Sequence, residues 1–288
     1  MLGELAQLLV NGLVAGTILA VPAIGFTAIY AVLRFPNFTV ASHATIGAFA
    51  GYVANTAGGV PAWMAVGVAF LVAGAAGVVN DEVVLKPLRP AGALTAAIAA
   101  IALTIVLENV VRFIWGNDLR GYDLPIRRDW QWAGLRIGPQ QVENLAIAIL
   151  AMAALFLFLA FTRTGKAMRA VADNPMLAGI KGINADTVAR LVNFVGMGLA
   201  GVGGMLLGLD TSIDPLTGFR VILSVFAAAV VGGLGSIPGA VVGALTIGVA
   251  EELSLLSLAP AYRTAVGFAA ILVVLTLRPR GLLGERAY

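Results

Sequence analysis

The sequence predicts an all-α, polytopic integral membrane protein with eight or nine transmembrane helices, some of them broken. Of its 288 residues, 60% are hydrophobic and only 11% are charged, whereas a soluble domain usually carries about 25% charged residues. The apolar stretches continue for about 20 residues, the length of helix that crosses a hydrocarbon core of about 30 Å. They are too long and too continuously apolar for the strands of an outer-membrane barrel, so helices are favoured.

Nine stretches satisfy this length criterion. They cover residues 7–33, 38–57, 61–80, 92–114, 143–162, 188–209, 219–235, 238–256 and 262–278. The first lacks the basic start of a signal peptide and carries Glu4, so we interpret it as a retained span. The second is polar for a span, and the seventh and eighth meet at Gly235, Pro238 and Gly239, where a helix must break. The number of spans is therefore eight or nine.

The placement of Lys and Arg predicts the orientation of these spans. With nine spans, the basic residues of the short connections fall on one side, which the positive-inside rule assigns to the cytoplasm. These residues are Arg34, Lys86, Arg89, Arg163, Lys166, Arg169, Lys181, Arg190, Arg278, Arg280 and Arg286. The opposite side holds one long connection, residues 116–141, which we interpret as an extracytoplasmic loop although it contains four arginines. This orientation places the N-terminus outside and the C-terminus in the cytoplasm.

Glycines recur at four-residue spacing within the predicted spans. The pairs are Gly12 and Gly16, Gly47 and Gly51, Gly204 and Gly208, and Gly239 and Gly243. Such spacing is typical of helices whose backbones approach closely in a membrane. We therefore expect these glycines to serve packing and assign no chemistry to them.

The sequence lacks the motifs of the common enzyme classes. "RTGKAM" contains Gly-Lys but not the upstream glycine or the following Ser or Thr of a P-loop. "LGSIP" has Leu234 where a nucleophile elbow requires glycine. His43 is the only histidine and there is no cysteine, so no metal site is indicated. We predict a protein that is not an enzyme and holds no metal or cofactor, and nothing indicates a nucleic acid partner.

Few ionisable residues fall inside the predicted spans. Glu108 and Arg112 lie four residues apart on one helix face, so they either pair or are each solvated near the interface. We expect Glu251 and Glu252 to lie at an exposed helix end. The sequence shows neither the chain of buried carboxylates of an ion-driven carrier nor the ring of like charge of a selective channel.

One basic segment interrupts the apolar sequence, "GKAMRAVADNPMLAGIKGIN" at residues 165–184. Asn174 followed by Pro175 predicts a helix start, and Gly182 predicts its end. The residues alone leave two interpretations open. The segment is either an amphipathic loop at the membrane surface or a docking helix for a cytoplasmic partner, and composition favours the loop.

Three motifs resemble one family. The segment "RTGKAMRAVADNPMLAGIKGIN", the stretch "FAAAVVGGLGSIPGAVVGALTIGVAEE" and the ending "LRPRGLLG" are similar to permease subunits of branched-chain amino-acid ABC transporters of the LivH type. "LRFPNFTVASHATIGAFAGYVA" resembles the second-span motif of this family, "LRVINFAHGEFMMLGAYVA", with Asn37, Phe38, Gly47 and Ala48 matched without a gap. The His-Gly-Glu of that motif is replaced by Val40, Ala41 and Ser42.

The resemblance implies a set of partners. Permeases of this kind pair with a homologous second permease, and two cytoplasmic P-loop ATPase subunits that use ATP dock beneath the pair. An extracytoplasmic binding protein delivers the substrate. The chain is then a single permease domain, residues 1–288, of a multi-pass protein in the bacterial inner membrane. Its cargo is a branched-chain or related hydrophobic amino acid.

The resemblance also implies a role for residues 163–187 as the cytoplasmic segment that couples to the ATPases. Its candidate residues are Gly165, Arg169, Asp173, Asn174, Pro175, Met176, Leu177, Ala178 and Gly182.

For the translocation path we favour the polar second span and the broken region. These candidates are Asn37, Thr39, Ser42, His43, Thr45, Gly232, Gly233, Gly235, Ser236 and Pro238. Polar side chains and freed backbone groups in these regions suit a zwitterion in transit, and the alternative is a purely structural role in helix packing. The competing functions are the same transporter class with another cargo (urea, short amides or a sugar), an autonomous carrier or channel, and an intramembrane enzyme.

Overall fold

The computed structural model describes residues 2–125, 127–132, 135–259 and 262–284. The longer helices are α1 (Leu2–Leu33), α2 (Val40–Thr56), α3 (Ala62–Asn80), α5 (Ala93–Trp115), α6 (Pro139–Phe161), α9 (Ala185–Asp210), α10 (Thr217–Gly232), α11 (Ile237–Ser254) and α12 (Arg263–Leu277). Shorter elements are a π-helical turn (Asp81–Leu85), α4 (Lys86–Leu88), a 3-10 turn (Arg89–Ala91), α7 (Arg163–Asp173) and α8 (Pro175–Ile180). Strands β1 (Trp130–Trp132) and β2 (Leu135–Ile137) pair antiparallel.

Each predicted span coincides with one of the nine longer helices, so the helical prediction is confirmed. In the described part of the chain, six helices are long and apolar enough to cross a membrane on their own, namely α1, α3 with its extension to Ala91, α5, α6, α9 and α11. α10 and α12 are shorter apolar helices, and α2 has 17 residues. The chain is therefore a multi-pass, helical membrane protein, and the small β1–β2 hairpin lies in the long connection rather than in the bundle.

The centre of the bundle is formed by α1 and α9. Residues 16–29 of α1 are all buried, and Pro22 lies among them without ending the helix. α1 packs on α9, α10 and α11, whereas α9 also packs on α2 and α3. Helices α5, α6 and α12 lie at the periphery and expose apolar side chains such as Ile105, Leu150 and Leu272. Such a surface is suited to lipid, because lipid does not penalise exposed apolar area.

The glycine pairs lie where helices approach most closely, as predicted. A Cβ atom added to any of the eight glycines would come within 2.8 Å of a neighbouring atom. Gly12 and Gly16 face α11, Gly47 and Gly51 face α9, and Gly243 faces α10. Six of these glycines meet backbone atoms first, so only glycine fits there without a shift of the helices, whereas Gly51 and Gly208 meet the side chains of Met205 and Ile213.

The molecule has two ends, which we name by the segments they carry. At the loop end, Gln7 exchanges two hydrogen bonds with the backbone of Arg136, in residues 116–138. At the basic end, Arg34 after α1 donates to the carbonyl oxygen of Ala172 in α7. Lys86 also lies at the basic end, paired with Asp186 at 3.3 Å.

Two helices begin inside the bundle rather than at its ends. Thr104, midway along α5, donates to the Phe38 carbonyl oxygen just before α2. Gly218, in the first turn of α10, donates to Thr45 at 3.0 Å and lines a small apolar gap together with Pro22. At 1.5 Å per residue, Pro22 is about 22 Å along α1 from Gln7 and about 16 Å from the last residue of α1. Both α2 and α10 therefore start within the membrane thickness.

Candidate functional site

Residues 163–182 form two short capped helices at the basic end. The Thr162 hydroxyl accepts the Gly165 N–H at 2.9 Å and caps α7. Asn174 accepts the Leu177 N–H at 3.0 Å and caps α8, which Pro175 opens. Gly182 follows α8 with a φ of 82°, a conformation that favours glycine. The predicted helix start at Asn174 and end near Gly182 are confirmed.

The outward face of α8 is apolar. Met176, Leu177 and Ile180 are all exposed, and only Ala178 of this helix is buried. A six-residue helix cannot hide three large apolar side chains by itself, so this cluster is typical of a surface that another protein covers. We call Met176, Leu177 and Ile180 the coupling surface, after the role that the sequence resemblance predicts for this segment.

α7 attaches the coupling surface to the bundle. A Cβ atom on Gly165 would lie 2.4 Å from the Phe158 carbonyl oxygen of α6, so α7 starts in direct backbone contact with that helix. Arg169 and Asp173 are exposed one turn apart on the solvent side of α7. The predicted coupling residues therefore lie on one continuous segment, in which Gly165 and Ala178 serve packing and the others are exposed.

The polar residues before and in α2 form a buried hydrogen-bond network. The Asn37 side-chain oxygen accepts the Thr39 N–H at 3.2 Å and the Thr39 hydroxyl at 2.7 Å. Ser42 donates to the Thr39 carbonyl oxygen at 2.9 Å. Among the described residues, the Asn37 amide nitrogen has no hydrogen-bond partner. The network holds the start of α2 inside the bundle and leaves one donor unused.

His43 and Thr45 connect this network to neighbouring helices. His43 is fully buried, with Nδ1 2.7 Å from the Thr39 carbonyl oxygen and Nε2 3.2 Å from the Asn80 amide of α3. Thr45 accepts the Gly218 N–H of α10. In the described residues no group of three His, Cys, Asp or Glu is placed to bind a metal ion.

The break between α10 and α11 lies away from the α2 network. Ser236 caps α11 by accepting the Gly239 N–H at 3.2 Å, and Pro238 follows in the first turn. The C-terminal segment covers the end of α10, because the Leu282 N–H donates to the Val231 carbonyl oxygen at 2.8 Å. The polar network lies beside the start of α10, whereas the break lies at the end of that helix. The length of α10, about 24 Å, therefore separates the two candidate regions of the path.

Our expectation that Glu251 and Glu252 lie at an exposed helix end is wrong. Glu251 and Glu252 are buried rather than exposed, because α10 and α12 fold over this end of α11. Ser224 donates to Glu251 at 2.6 Å, and Arg263 pairs with both carboxylates. Glu108 is buried too, which excludes its solvated alternative. Among the described residues it forms no ion pair with Arg112, and its Oε1 has no hydrogen-bond partner.

Sequence analysis did not identify the ion pair between Asp214 and Arg220. Asp214 precedes α10 and accepts the Leu216 N–H and the Thr217 hydroxyl, each at 3.1 Å. Arg220, one turn into α10, pairs with the same carboxylate oxygen. The available signal was the position of Arg220 inside the predicted span 219–235, since charged residues at membrane depth are usually functional.

A cavity of about 660 Å³ opens at the loop end. Asn55, Trp63, Asp123 and Arg127 contribute to its lining. Tyr122, beside it, donates to the Ala48 carbonyl oxygen at 2.7 Å, and burial raises the pKa of the Tyr122 hydroxyl. The long connection is thereby fastened to α2 and forms part of the cavity wall.

The chain is thus a bundle of apolar helices with a buried polar network at its centre and an exposed apolar helix surface at one end. Residues 8–275 match the family described as branched-chain amino acid transport system / permease component. The chain belongs to this family.

Curated relatives agree with this assignment along nearly the whole chain. The chain is 35% identical to the high-affinity branched-chain amino acid transport system permease protein LivH of Salmonella typhimurium, over 97% of this chain and 95% of the relative. It is 33% identical to BraD of Pseudomonas aeruginosa over the same shares. A probable LivH protein of Methanocaldococcus jannaschii is 30% identical, over 98% of this chain and 93% of the relative.

One solved structure shares the fold. PsaBC from Streptococcus pneumoniae, determined in complex with Fab, aligns with a TM-score of 0.53 and 16% sequence identity. The alignment covers 97% of each chain, so the similarity extends over the whole bundle.

Proposed function

We propose that the chain is the membrane-spanning permease subunit of an ATP-driven ABC importer for branched-chain or related hydrophobic amino acids. It forms the translocation path with a homologous second permease, and two P-loop ATPases dock on its cytoplasmic side. An extracytoplasmic binding protein delivers the substrate. The names of the relatives support branched-chain amino acids as the cargo. The exposed coupling surface supports the docking of ATPase subunits.

The coupling surface is the observation that carries the proposal. A large apolar side chain on a water-facing helix costs roughly 25 cal/mol for each Å² that a partner would otherwise cover. Met176, Leu177 and Ile180 carry this cost together on a helix with caps at both ends. A rigid apolar helix of this kind transmits motion from a docked ATPase, whose closure shifts the permease between inward- and outward-open states.

We further propose nine spans, with the N-terminus outside and the C-terminus in the cytoplasm of a bacterial inner membrane. Residues 163–187 then lie in the cytoplasm and residues 116–141 outside. The clustering of Arg34, Lys86 and Arg190 at the basic end supports this orientation.

Co-purification tests the proposal. The tagged chain, extracted gently from native membranes, should bring with it two P-loop ATPases and a second multispan permease, which mass spectrometry identifies. A chain that emerges alone, in mild detergent and again after crosslinking, would contradict the proposal and favour an autonomous carrier.

Disruption of the α8 cap provides a functional test. Replacement of Asn174 and Pro175 by glycine removes the cap and the preorganised first turn, so α8 should fray while the protein still inserts. ATP hydrolysis should then no longer drive uptake. Asn174→Asp is the matched control, because aspartate keeps the side-chain oxygen that accepts the Leu177 N–H, and coupled uptake should persist in it. Normal coupled uptake in the first variant would exclude α8 as the coupling helix.

A further inference from the structure

The pair of Asp214 and Arg220 lies inside the membrane thickness. Arg220 is two residues beyond Gly218, which lies beside Pro22 in the buried part of α1. Pro22 is about 22 Å along the helix axis from the loop end at Gln7 and about 16 Å from Leu33. The first turn of α10 therefore lies well below the surface at either end.

Arg220 nevertheless faces outward from the chain. Its side chain is 57% exposed, whereas that of Asp214 is 16% exposed. The acidic residues within spans that we have described, Glu108, Glu251 and Glu252, are all buried. Arg220 thus differs from them, because it presents a charge on the outside of the helical bundle.

This placement is unfavourable toward lipid. An arginine at membrane depth costs several kcal/mol unless it faces protein or water. A cation in the first turn of a helix is also opposed by the positive end of the helix dipole. Asp214 compensates only part of these costs, because Arg220 remains more than half exposed after pairing. The surface that carries Arg220 must therefore face a wet or protein-lined space.

Apolar side chains surround the pair on the same face of the chain. Leu216, Phe219 and Leu223 are exposed, three and four residues apart, on either side of Arg220. A carboxylate, a guanidinium and an apolar surface side by side are complementary to an amino acid with an aliphatic side chain. The guanidinium offers two parallel N–H donors to the α-carboxylate, and Asp214 offers an acceptor to the α-ammonium group.

We propose that this face of α10 lines the translocation path and that Asp214 and Arg220 bind the zwitterionic end of the amino acid in transit. Leu216, Phe219 and Leu223 contact its aliphatic side chain. The inference rests on the proposed function and adds to it a binding site for the cargo. Substrate sites near the membrane centre, at helices that start within the bilayer, are a recurring arrangement in transporters.

Thiol labelling tests whether this face is wet, without any requirement for transport. The chain has no cysteine, so a single introduced cysteine is the only target. Phe219→Cys in native membranes should react at least tenfold faster with a charged, membrane-impermeant thiol reagent than Ile149→Cys does. The two positions are matched, with 52% and 50% exposure, but Ile149 lies midway along the peripheral helix α6.

Leucine added before the reagent should slow the labelling of Phe219→Cys. Equal and slow labelling of both variants would overturn the inference, because the α10 face would then be covered by lipid or protein. If Phe219→Cys does not reach the membrane, Leu223→Cys on the same face replaces it.

Uptake kinetics in vesicles that contain the assembled transporter test the binding role. Arg220→Gln and Asp214→Asn should each raise the KM for leucine about 10- to 100-fold, as expected for the loss of one charged hydrogen bond. Arg128→Gln is the control, because Arg128 is an exposed arginine of the long connection that is not among the residues lining the cavity. Its KM should stay unchanged.

The outcomes separate the two proposals. An unchanged KM in Arg220→Gln, with ATP-driven uptake intact, would overturn the site and leave the permease function in place. Absence of ATP-driven uptake in the unaltered protein would overturn the proposed function, while the labelling rates would still decide whether the α10 face is wet.

Discussion

Gly47 in α2 and Gly201 in α9 mark one of the tightest contacts between helices in the bundle. A Cβ atom on Gly47 would lie 2.2 Å from the Gly201 Cα atom, so the obstacle is backbone rather than a movable side chain. Such a contact brings α2 close to the central helix and fixes the position of its polar network. At the residue scale, glycine therefore determines where the polar groups of this chain lie.

Gly47→Ala should lower the free energy of unfolding by about 1 to 3 kcal/mol, the usual cost of overpacking. Gly67→Ala in α3 is the matched control, because nothing lies within 4 Å of its added Cβ atom. The control should be neutral or gain up to about 1 kcal/mol from helix propensity. Thermal unfolding in detergent measures both, and equal stability of the two variants would contradict the close approach.

Ser42→Leu should impair uptake and leave ATPase docking unchanged. Ser42 is buried and bonds to the Thr39 carbonyl oxygen, so a larger apolar side chain must displace the first turn of α2. Thr56→Leu at the opposite, exposed end of α2 is the control. Uptake assays and ATPase co-purification provide the two readouts, and unimpaired uptake would place the path elsewhere.

At the scale of secondary-structure elements, ion pairs connect the π-helical turn after α3 to the start of α9. Arg190 Nε lies 2.6 Å from Glu82, and Lys86 lies 3.2 Å from Glu82 and 3.3 Å from Asp186. α9 comes directly after α8 and the turn at Gly182, so these pairs connect the end of the α7–α8 region to the turn after α3. Exposed ion pairs add little to the free energy of unfolding. We therefore expect these pairs to act mainly by orienting α9 relative to α3.

Arg190→Glu should weaken the coupling between ATP hydrolysis and uptake, because Glu82 and the new carboxylate repel each other. The double variant Glu82→Arg with Arg190→Glu should recover most of the coupling, because it restores opposite charges across the contact. The ratio of substrate transported to ATP hydrolysed measures both. A double variant as defective as the single one would show that the pair does not orient α9.

The whole molecule is asymmetric between its two ends. The loop end carries a β-hairpin, a cavity and the buried Glu251, Glu252 and Arg263 cluster. The basic end carries the coupling surface and the covered end of α10. This division suits a protein that receives cargo at one end and force at the other.

Cysteine labelling of intact cells should report the orientation. Asp118→Cys, in the long connection, should react with an impermeant reagent added outside, whereas Lys181→Cys after α8 should react only once the membrane is permeabilised. Both positions are exposed in the chain by itself, so the side of the membrane determines whether the reagent reaches them from outside, and a docked ATPase would only slow the labelling of Lys181→Cys further. The reverse pattern would invert the proposed topology.

The sequence by itself determined the class of protein, the positions of the nine longer helices in the described part of the chain, the capped helix start at Asn174 and the family. These features depend on local signals, since hydropathy over about 20 residues, an Asn-Pro helix start and a motif are all read along the chain. Only the tertiary structure decided that α10 begins inside the bundle, that Glu251 and Glu252 are buried and that Arg220 faces outward. Depth and exposure depend on which distant helices pack against a residue, and no local pattern along the chain encodes those neighbours.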